Sequence, residues 1–138
     1  MPDKVFYITT AIYYVTDVPH VGSASEAIAA DVAARFKRLQ GRKVLFATGT
    51  DENAIKVAEA AREQGLTTQD FVDAIVPRWV EVWRKLHISY DDFIRTTEAR
   101  HRKVTEEAFK KLMARGDIYK DVYKGCLLYT SPSPRDRS

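Results

Sequence analysis

The sequence contains little cysteine and no long apolar run. Its single cysteine, Cys126, excludes a disulfide bond within the chain and a zinc site built from several cysteines. No stretch approaches the roughly 20 apolar residues that a transmembrane helix needs. The first residues, MPDKVFYITT, include an acidic side chain and lack the apolar segment of a secretory signal. We therefore expect a soluble, cytoplasmic protein with no membrane partner.

Runs of like charge and the common nucleotide-binding fingerprints are also missing. The net charge is +3 over 138 residues, and no five consecutive residues carry the same charge. Composition therefore indicates no DNA-binding surface. The sequence contains neither a Walker A motif nor Gly-x-Gly-x-x-Gly, and no internal repeat. The length suits one domain with a hydrophobic core.

The first half of the chain alternates between strand and helix patterns. Residues 4–10, KVFYITT, and 44–48, VLFAT, are apolar on both sides, as buried strands are. Between them lie a predicted loop over 11–21 and an amphipathic helix that ends at Gly41. The helix carries apolar residues at helical spacing: Ala24, Ile28, Val32, Phe36 and Leu39. This order predicts a βαβ unit with parallel strands and a right-handed crossover.

The second half is predicted to be mainly helical. After the 49–53 turn, one helix runs to Gln64, and Thr67 with Asp70 forms a capping box for the next. Pro77 should kink or break that second helix, which has an apolar stripe of Phe71, Ile75, Trp79, Val82 and Leu86. The remaining predictions are a strand over 91–97, a helix over 98–116 and a short strand over 117–125. The fold class is therefore α/β, a parallel sheet with flanking helices.

A candidate anion site lies where the first helix begins, at His20, Gly22 and Ser23. A helix N-terminus has free N–H groups and a positive dipole end, both of which favour a phosphate. Gly22 lacks a Cβ, so a flat base could lie against its backbone, and His20 could donate a hydrogen bond to a phosphate oxygen. Ser23 and Glu26 also fit a capping box, which by itself explains the serine. These residues alone leave both interpretations open.

A second candidate site follows the second strand, at Asp51 and Glu52. In an open parallel sheet, ligands bind beyond the carboxyl ends of the strands, where both candidate sites lie. A carboxylate there could bind an ammonium group, and Tyr13 and Tyr14 could form aromatic walls. Such a set suits an amino acid beside a nucleotide. Capping by the acidic residues and packing by the tyrosines are equally compatible with the pattern.

Several segments in order resemble one known family. The stretch FYITTAIYYVTDVPHVGSASEAIAADVAARFKRLQGRKVLFATGTDEN closely resembles the amino-terminal part of methionyl-tRNA synthetases, which are class I enzymes. ISYDDFIRTTEARH and GDIYKDVYKG match further family segments. The resemblance runs from about Phe6 to Gly125. It implies a Rossmann-like, His-x-Gly-His type nucleotide-binding domain.

The resemblance also implies roles for particular residues. His20 and Gly22 match the first His and the Gly of the family signature, which contact ATP, and His20 is the implied catalytic residue. Ile12 and Tyr14 match residues that line the methionine pocket, and Asp51 matches the carboxylate that holds the α-ammonium group. The family activates methionine with ATP and Mg²⁺ to methionyl-adenylate and transfers it to tRNA. No covalent enzyme intermediate is required.

Two positions depart from the family pattern. Ser23 stands where the second His is usual, so we expect a hydroxyl rather than a ring in the ATP site. Asn53 and Ala54 replace the usual His-Gly. His87 and His101 lie outside these motifs and are interpreted as surface or packing residues.

Segments expected of the complete enzyme are missing. The chain lacks the zinc-binding insertion, so it has no zinc ligands, and it lacks the Lys-Met-Ser-Lys-Ser loop and the anticodon-binding domain. We expect residues 1–125 to be an incomplete catalytic domain, inactive alone, and residues 126–138, with their Ser-Pro-Ser-Pro run, to be a non-native, disordered tail. The alternatives are another class I synthetase, a smaller adenylyltransferase, or a non-catalytic nucleotide-binding fragment.

Overall fold

The computed structural model describes residues 5–120. It contains β1 (Phe6–Tyr14), α1 (Val21–Leu39), β2 (Val44–Asp51), α2 (Ile55–Glu63), α3 (Thr68–Lys85), β3 (Asp92–Arg95) and α4 (Ala99–Arg115). By its contacts the chain divides into two compact units, Met1–Thr105 and Glu106–Ser138. Within the described range, no helix is both long enough and apolar enough to cross a membrane.

The three strands form one parallel sheet in the order β1-β2-β3. The predicted βαβ unit with parallel strands is therefore confirmed. β1 begins and ends later than predicted, because residues that were assigned to a loop continue the strand to Tyr14. β2 likewise continues to Asp51. Both extensions carry polar and aromatic side chains to the carboxyl edge of the sheet.

A β-bulge in β1 changes which side chains share a face of the sheet. Thr9 pairs with Ala47, but the next pair is Ile12 with Gly49, so β1 has one residue more than β2 over this interval. The threonine hydroxyl at position 10 bonds that of Thr48 at 2.7 Å. Because side chains alternate along a strand, the extra residue reverses the alternation of β1 beyond the bulge.

The apolar stripe of α1 lies on a helix, as predicted, but a different face of that helix packs on the sheet. The large members of the stripe are exposed, with Val32 61% and Phe36 54% accessible. The buried residues of α1 are mostly small: Ser23, Ala27, Ala30, Asp31 and Ala34. Alanines allow the helix backbone to approach β1 and β2 closely, so small residues occupy the contact.

The core of the first unit lies between one face of the sheet and helices α1 to α3. Its largest buried side chains are Trp83 and Phe46, with Trp79 and Ile75 beside them. Thr67 caps α3, as predicted, by accepting the Asp70 N–H at 3.1 Å. α3 continues through Pro77 to Lys85, so the predicted break does not occur. Packing of the apolar face outweighs one lost backbone hydrogen bond.

β3 contacts β2 closely at Gly49, and the segment before β3 is bonded to α1. A Cβ on Gly49 would lie 2.1 Å from the Ile94 carbonyl oxygen, so only glycine fits there. The Asp31 carboxylate accepts hydrogen bonds from Ser89 and Arg35, and Arg35 also donates to the His87 carbonyl. Burial alone would raise the pKa of Asp31, but these hydrogen bonds outweigh it and lower that pKa.

The helix predicted over 98–116 is confirmed as α4, and Gly116 follows it with φ of +80°. None of its residues is buried. Residues 117–120 contain no strand, so this part of the predicted final strand is wrong. Positions 121–125 and the predicted tail, 126–138, lie outside the described residues.

Candidate active site

His20 forms the N-cap of α1. Its backbone is extended, with φ of −96° and ψ of 173°, and its Nδ1 accepts hydrogen bonds from the N–H groups of Gly22 at 2.9 Å and Ser23 at 3.3 Å. Two of the N–H groups that were predicted to be free for an anion are therefore bonded to the His20 ring. Nε2 of that ring has no partner among the described hydrogen bonds.

The predicted capping box of Ser23 and Glu26 is wrong. Ser23 lies within the first turn of α1 and is buried, with 4% of its surface accessible. The Glu26 carboxylate instead accepts the N–H of Ala11, in the β1 bulge, at 2.8 Å. A histidine is an uncommon N-cap, so the serine three residues later gave the more usual sequence signal. Glu26 thus joins the start of α1 to the bulge.

A cavity of about 290 Å³ opens beside the His20 turn. His20, Ser23 and Asp17 line it together with Lys56, from the first turn of α2. Lys56 was not identified from the sequence. Within the described residues it is the only Lys or Arg that lines this cavity, and it forms no ion pair there. The sequence did contain a signal for Lys56: it lies two residues after Ala54, at the start of the helix that follows the second strand.

Ile12, Tyr14 and Asp51 lie on the same face of the sheet. Ile12 pairs with Gly49 and Tyr14 pairs directly with Asp51. Phe46, Thr48 and Thr50 alternate with these β2 positions and face the core. Asp51, Tyr14 and Ile12 therefore face the opposite side of the sheet. The bulge is what places both β1 residues there. Ile12 and Tyr14 are 43% and 55% exposed, respectively.

Tyr13 faces the core side and does not join that group. Its ring stacks on Trp79, with centroids 5.2 Å apart, and contacts Trp83 edge-on. Burial raises the pKa of the Tyr13 hydroxyl to about 12, so it stays protonated at neutral pH. Tyr13 is therefore a packing residue. Packing was one of the two interpretations that the sequence left open for the tyrosines.

Glu52 is fully buried and anchors the β2–α2 turn to β3. Arg95 binds both carboxylate oxygens, at 2.8 and 2.9 Å, and the hydroxyls of Thr50 and Thr97 donate to the same group. Burial alone would raise the pKa of Glu52, but these hydrogen bonds outweigh it and lower that pKa. Arg95 also bonds Asp73 of α3 at 2.6 Å. Glu52 therefore has a structural role, whereas the described contact of the Asp51 carboxylate is with the Asn53 N–H, at 3.3 Å.

Over residues 5–120, no group of three or more His, Cys, Asp or Glu side chains could hold a metal ion. We therefore assign no metal ligand. His87 is exposed with φ of 54°, and its described contacts are made by its backbone: its N–H donates to the Arg84 carbonyl, and its carbonyl accepts from Arg35. Neither His87 nor His101 lines the cavity at His20.

These features define an α/β protein with a Rossmann-like parallel sheet and a polar site at the carboxyl edge of its strands. Residues 6–132 match the family model described as tRNA synthetases class I (M). The chain belongs to this family, as the resemblance predicted.

Curated relatives agree over the same region. A methionine–tRNA ligase of Halalkalibacterium halodurans is 51% identical over 122 residues, which are 88% of this chain and 18% of that protein. A methionine–tRNA ligase of Clostridium perfringens is 49% identical over 132 residues, 96% of this chain and 20% of that protein. The chain spans about a fifth of the length of these relatives.

Solved structures confirm the fold. The Mycobacterium tuberculosis methionyl-tRNA synthetase in complex with methionyl-adenylate superposes with a TM-score of 0.85 and 46% identity, over 87% of this chain and 24% of that one. A leucyl-tRNA synthetase from Agrobacterium radiobacter, at 24% identity, has a TM-score of 0.81 over 88% of this chain and 16% of that one. The second likeness supports the fold alone.

Proposed function

We propose that this chain supplies the nucleotide and amino-acid half-site of a methionine–tRNA ligase. The observation that carries the proposal is the direct pairing of Tyr14 with Asp51 at the carboxyl edge of the sheet, on the face that also holds Ile12. An apolar side chain, an aromatic ring and a carboxylate on one surface match the thioether tail and the α-ammonium group of methionine.

In this proposal ATP lies against the start of α1. His20 donates a hydrogen bond to a phosphate oxygen, Gly22 lies in the first turn beside the nucleotide, and the Ser23 region forms the floor of the site. Lys56 adds positive charge in the same cavity. The methionine carboxylate attacks the α-phosphorus, pyrophosphate leaves, and methionyl-adenylate forms. Fixed donors stabilise the charge that develops on the phosphate oxygens.

The wider functional setting rests on the family. A tRNA would accept the methionyl group, and the site of action would be the cytoplasm. Mg²⁺ would accompany the triphosphate, whose oxygens are ligands that this ion prefers. Zinc would likewise need ligands outside residues 5–120. We propose that the chain alone forms little or no methionyl-tRNA.

Ligand titration of the 138-residue chain, followed by two-dimensional NMR, tests the half-site. Methionine should shift amide signals near Tyr14 and Asp51, and ATP should shift those near His20. Asp51→Asn should abolish the methionine response and leave the ATP response in place. His20→Ala should do the reverse, so each variant is the matched control of the other.

The outcomes separate the alternatives. If leucine or valine shifts the same signals as strongly as methionine does, the chain belongs to a synthetase of another specificity. A response to ATP with none to any amino acid would indicate an adenylyltransferase-like site. If neither ligand shifts any signal, the chain is a non-catalytic fragment. For the complete gene product, pyrophosphate exchange that depends on methionine is the expected activity.

A further inference from the structure

The His20 ring is folded back onto its own helix. Nδ1 accepts from two successive backbone N–H groups, of Gly22 and Ser23. An accepting nitrogen of a neutral imidazole carries no proton, so the proton is on Nε2. The N-cap contacts therefore select one of the two tautomers of His20, the one that can donate through Nε2.

Gly22 is the residue that makes this ring position possible. A Cβ at Gly22 would lie 2.7 Å from the ring Cε1 and 2.9 Å from Nδ1 of His20. Carbon atoms do not approach so closely, so any side chain at position 22 would displace the imidazole. Glycine is also the least favourable residue in a helix after proline. Its position in the first turn of α1 therefore needs a reason, and the ring provides one.

We propose that Gly22 is a positioning residue for His20. The absent Cβ lets the imidazole cap α1, and the cap fixes the tautomer with the proton on Nε2. The N–H groups of Gly22 and Ser23 are used by the cap, so the ring Nε2–H replaces them as the donor that the helix start offers to an anion. Only this last step rests on the proposed function; the ring position and the tautomer stand without it.

The tautomer is measured directly on the 138-residue chain. A long-range ¹⁵N–¹H correlation spectrum at pH 8, where histidine side chains are ordinarily neutral, distinguishes a protonated ring nitrogen from an unprotonated one. His20→Gln removes one of three histidine patterns and so assigns it. We expect a single tautomer with the proton on Nε2 in the wild type. A proton on Nδ1 would overturn the proposal. In Gly22→Ala we expect a mixture of tautomers.

A double-mutant cycle tests the contact between residues 20 and 22. In the wild-type background, Gly22→Ala should lower the melting temperature, because the new methyl group displaces the cap. In a His20→Ala background the same substitution should raise it, because alanine is the better helix former and no ring is present. The change of sign is the signature of the proposed contact. The same sign in both backgrounds would contradict it.

ATP separates this inference from the proposed function. A shift of the Nε2 and Hε1 signals of His20 on addition of ATP supports both, with Gly22→Ala giving at least a threefold weaker affinity. If ATP shifts nothing while the Nε2–H tautomer is present, the positioning of His20 stands and the proposed phosphate contact fails. If ATP binds equally well to Gly22→Ala and to the wild type, the positioning role fails.

Discussion

The turns that follow β1 and β2 lie at the same edge of the sheet, but their side chains His20 and Glu52 are held in opposite ways. In the first turn, His20 is exposed and bonds only to backbone groups of the helix that it begins. In the second, Glu52 is fully buried and bonds to side chains of β2, β3 and the segment after it. The His20 side chain is held by its own helix, and the Glu52 side chain depends on the assembled fold.

This difference distinguishes polar groups that can contact a ligand from polar groups that stabilise the fold. The local cap leaves Nε2 of His20 free beside a cavity. The second turn uses one of two adjacent carboxylates for the fold, and so leaves Asp51 on the open face beside Tyr14. Loss of Glu52 should therefore affect the whole unit, whereas loss of His20 or Asp51 should affect mainly ligand binding.

The largest expected effect is that of Glu52→Ala. It leaves Arg95 with only Asp73 as an anionic partner, and we expect the free energy of unfolding to fall by about 3 kcal/mol, the low end of the range for a broken buried pair, since Arg95 stays partly exposed. Urea unfolding followed by circular dichroism measures this. The adjacent Asp51→Ala is the matched control and should change stability by less than about 0.5 kcal/mol. Equal losses for the two variants would remove the proposed distinction between the carboxylates.

Acid should destabilise the fold through its buried carboxylates. The pKa values of Glu52 and Asp31 are lower in the folded chain than their ordinary values of 4.5 and 3.8. Their contribution is therefore complete above about pH 5 and is lost as the pH falls through and below these values. We expect the free energy of unfolding to decrease steadily below pH 4.5. Glu52→Gln should make this decrease shallower, and an unchanged slope would show that Glu52 does not contribute.

The smallest expected effect on stability is that of the His20 cap. His20→Ala should lower the free energy of unfolding by about 1 kcal/mol, as the loss of other N-caps does. His20→Asn should restore most of it, because asparagine also caps well. Thermal unfolding of the three proteins provides the comparison. If Ser23→Ala costs more than His20→Ala and His20→Asn restores nothing, Ser23 rather than His20 is the cap.

Much of the fold could be predicted because it depends on local patterns. Apolar strands, the helix period and glycines after helices are properties of neighbouring residues, and they located the parallel βαβ unit, α2, α3 and α4. The apolar stripe of α1 did not indicate the face that packs on the sheet, because helical spacing does not determine which side of a helix contacts its neighbours. Pro77 was predicted to kink or break α3 because its cost is local, whereas the packing that keeps the helix continuous is not.

For the candidate site, the sequence by itself determined which residue types are present and that His20 and Asp51 follow adjacent parallel strands. The tertiary structure decided their arrangement. The β1 bulge places Ile12 and Tyr14 on the same face of the sheet as Asp51. Arg95 pairs with the buried Glu52, and Lys56 lines the cavity beside His20. Each of these depends on residues far apart in the chain, and their contacts form only when the sheet and helices assemble.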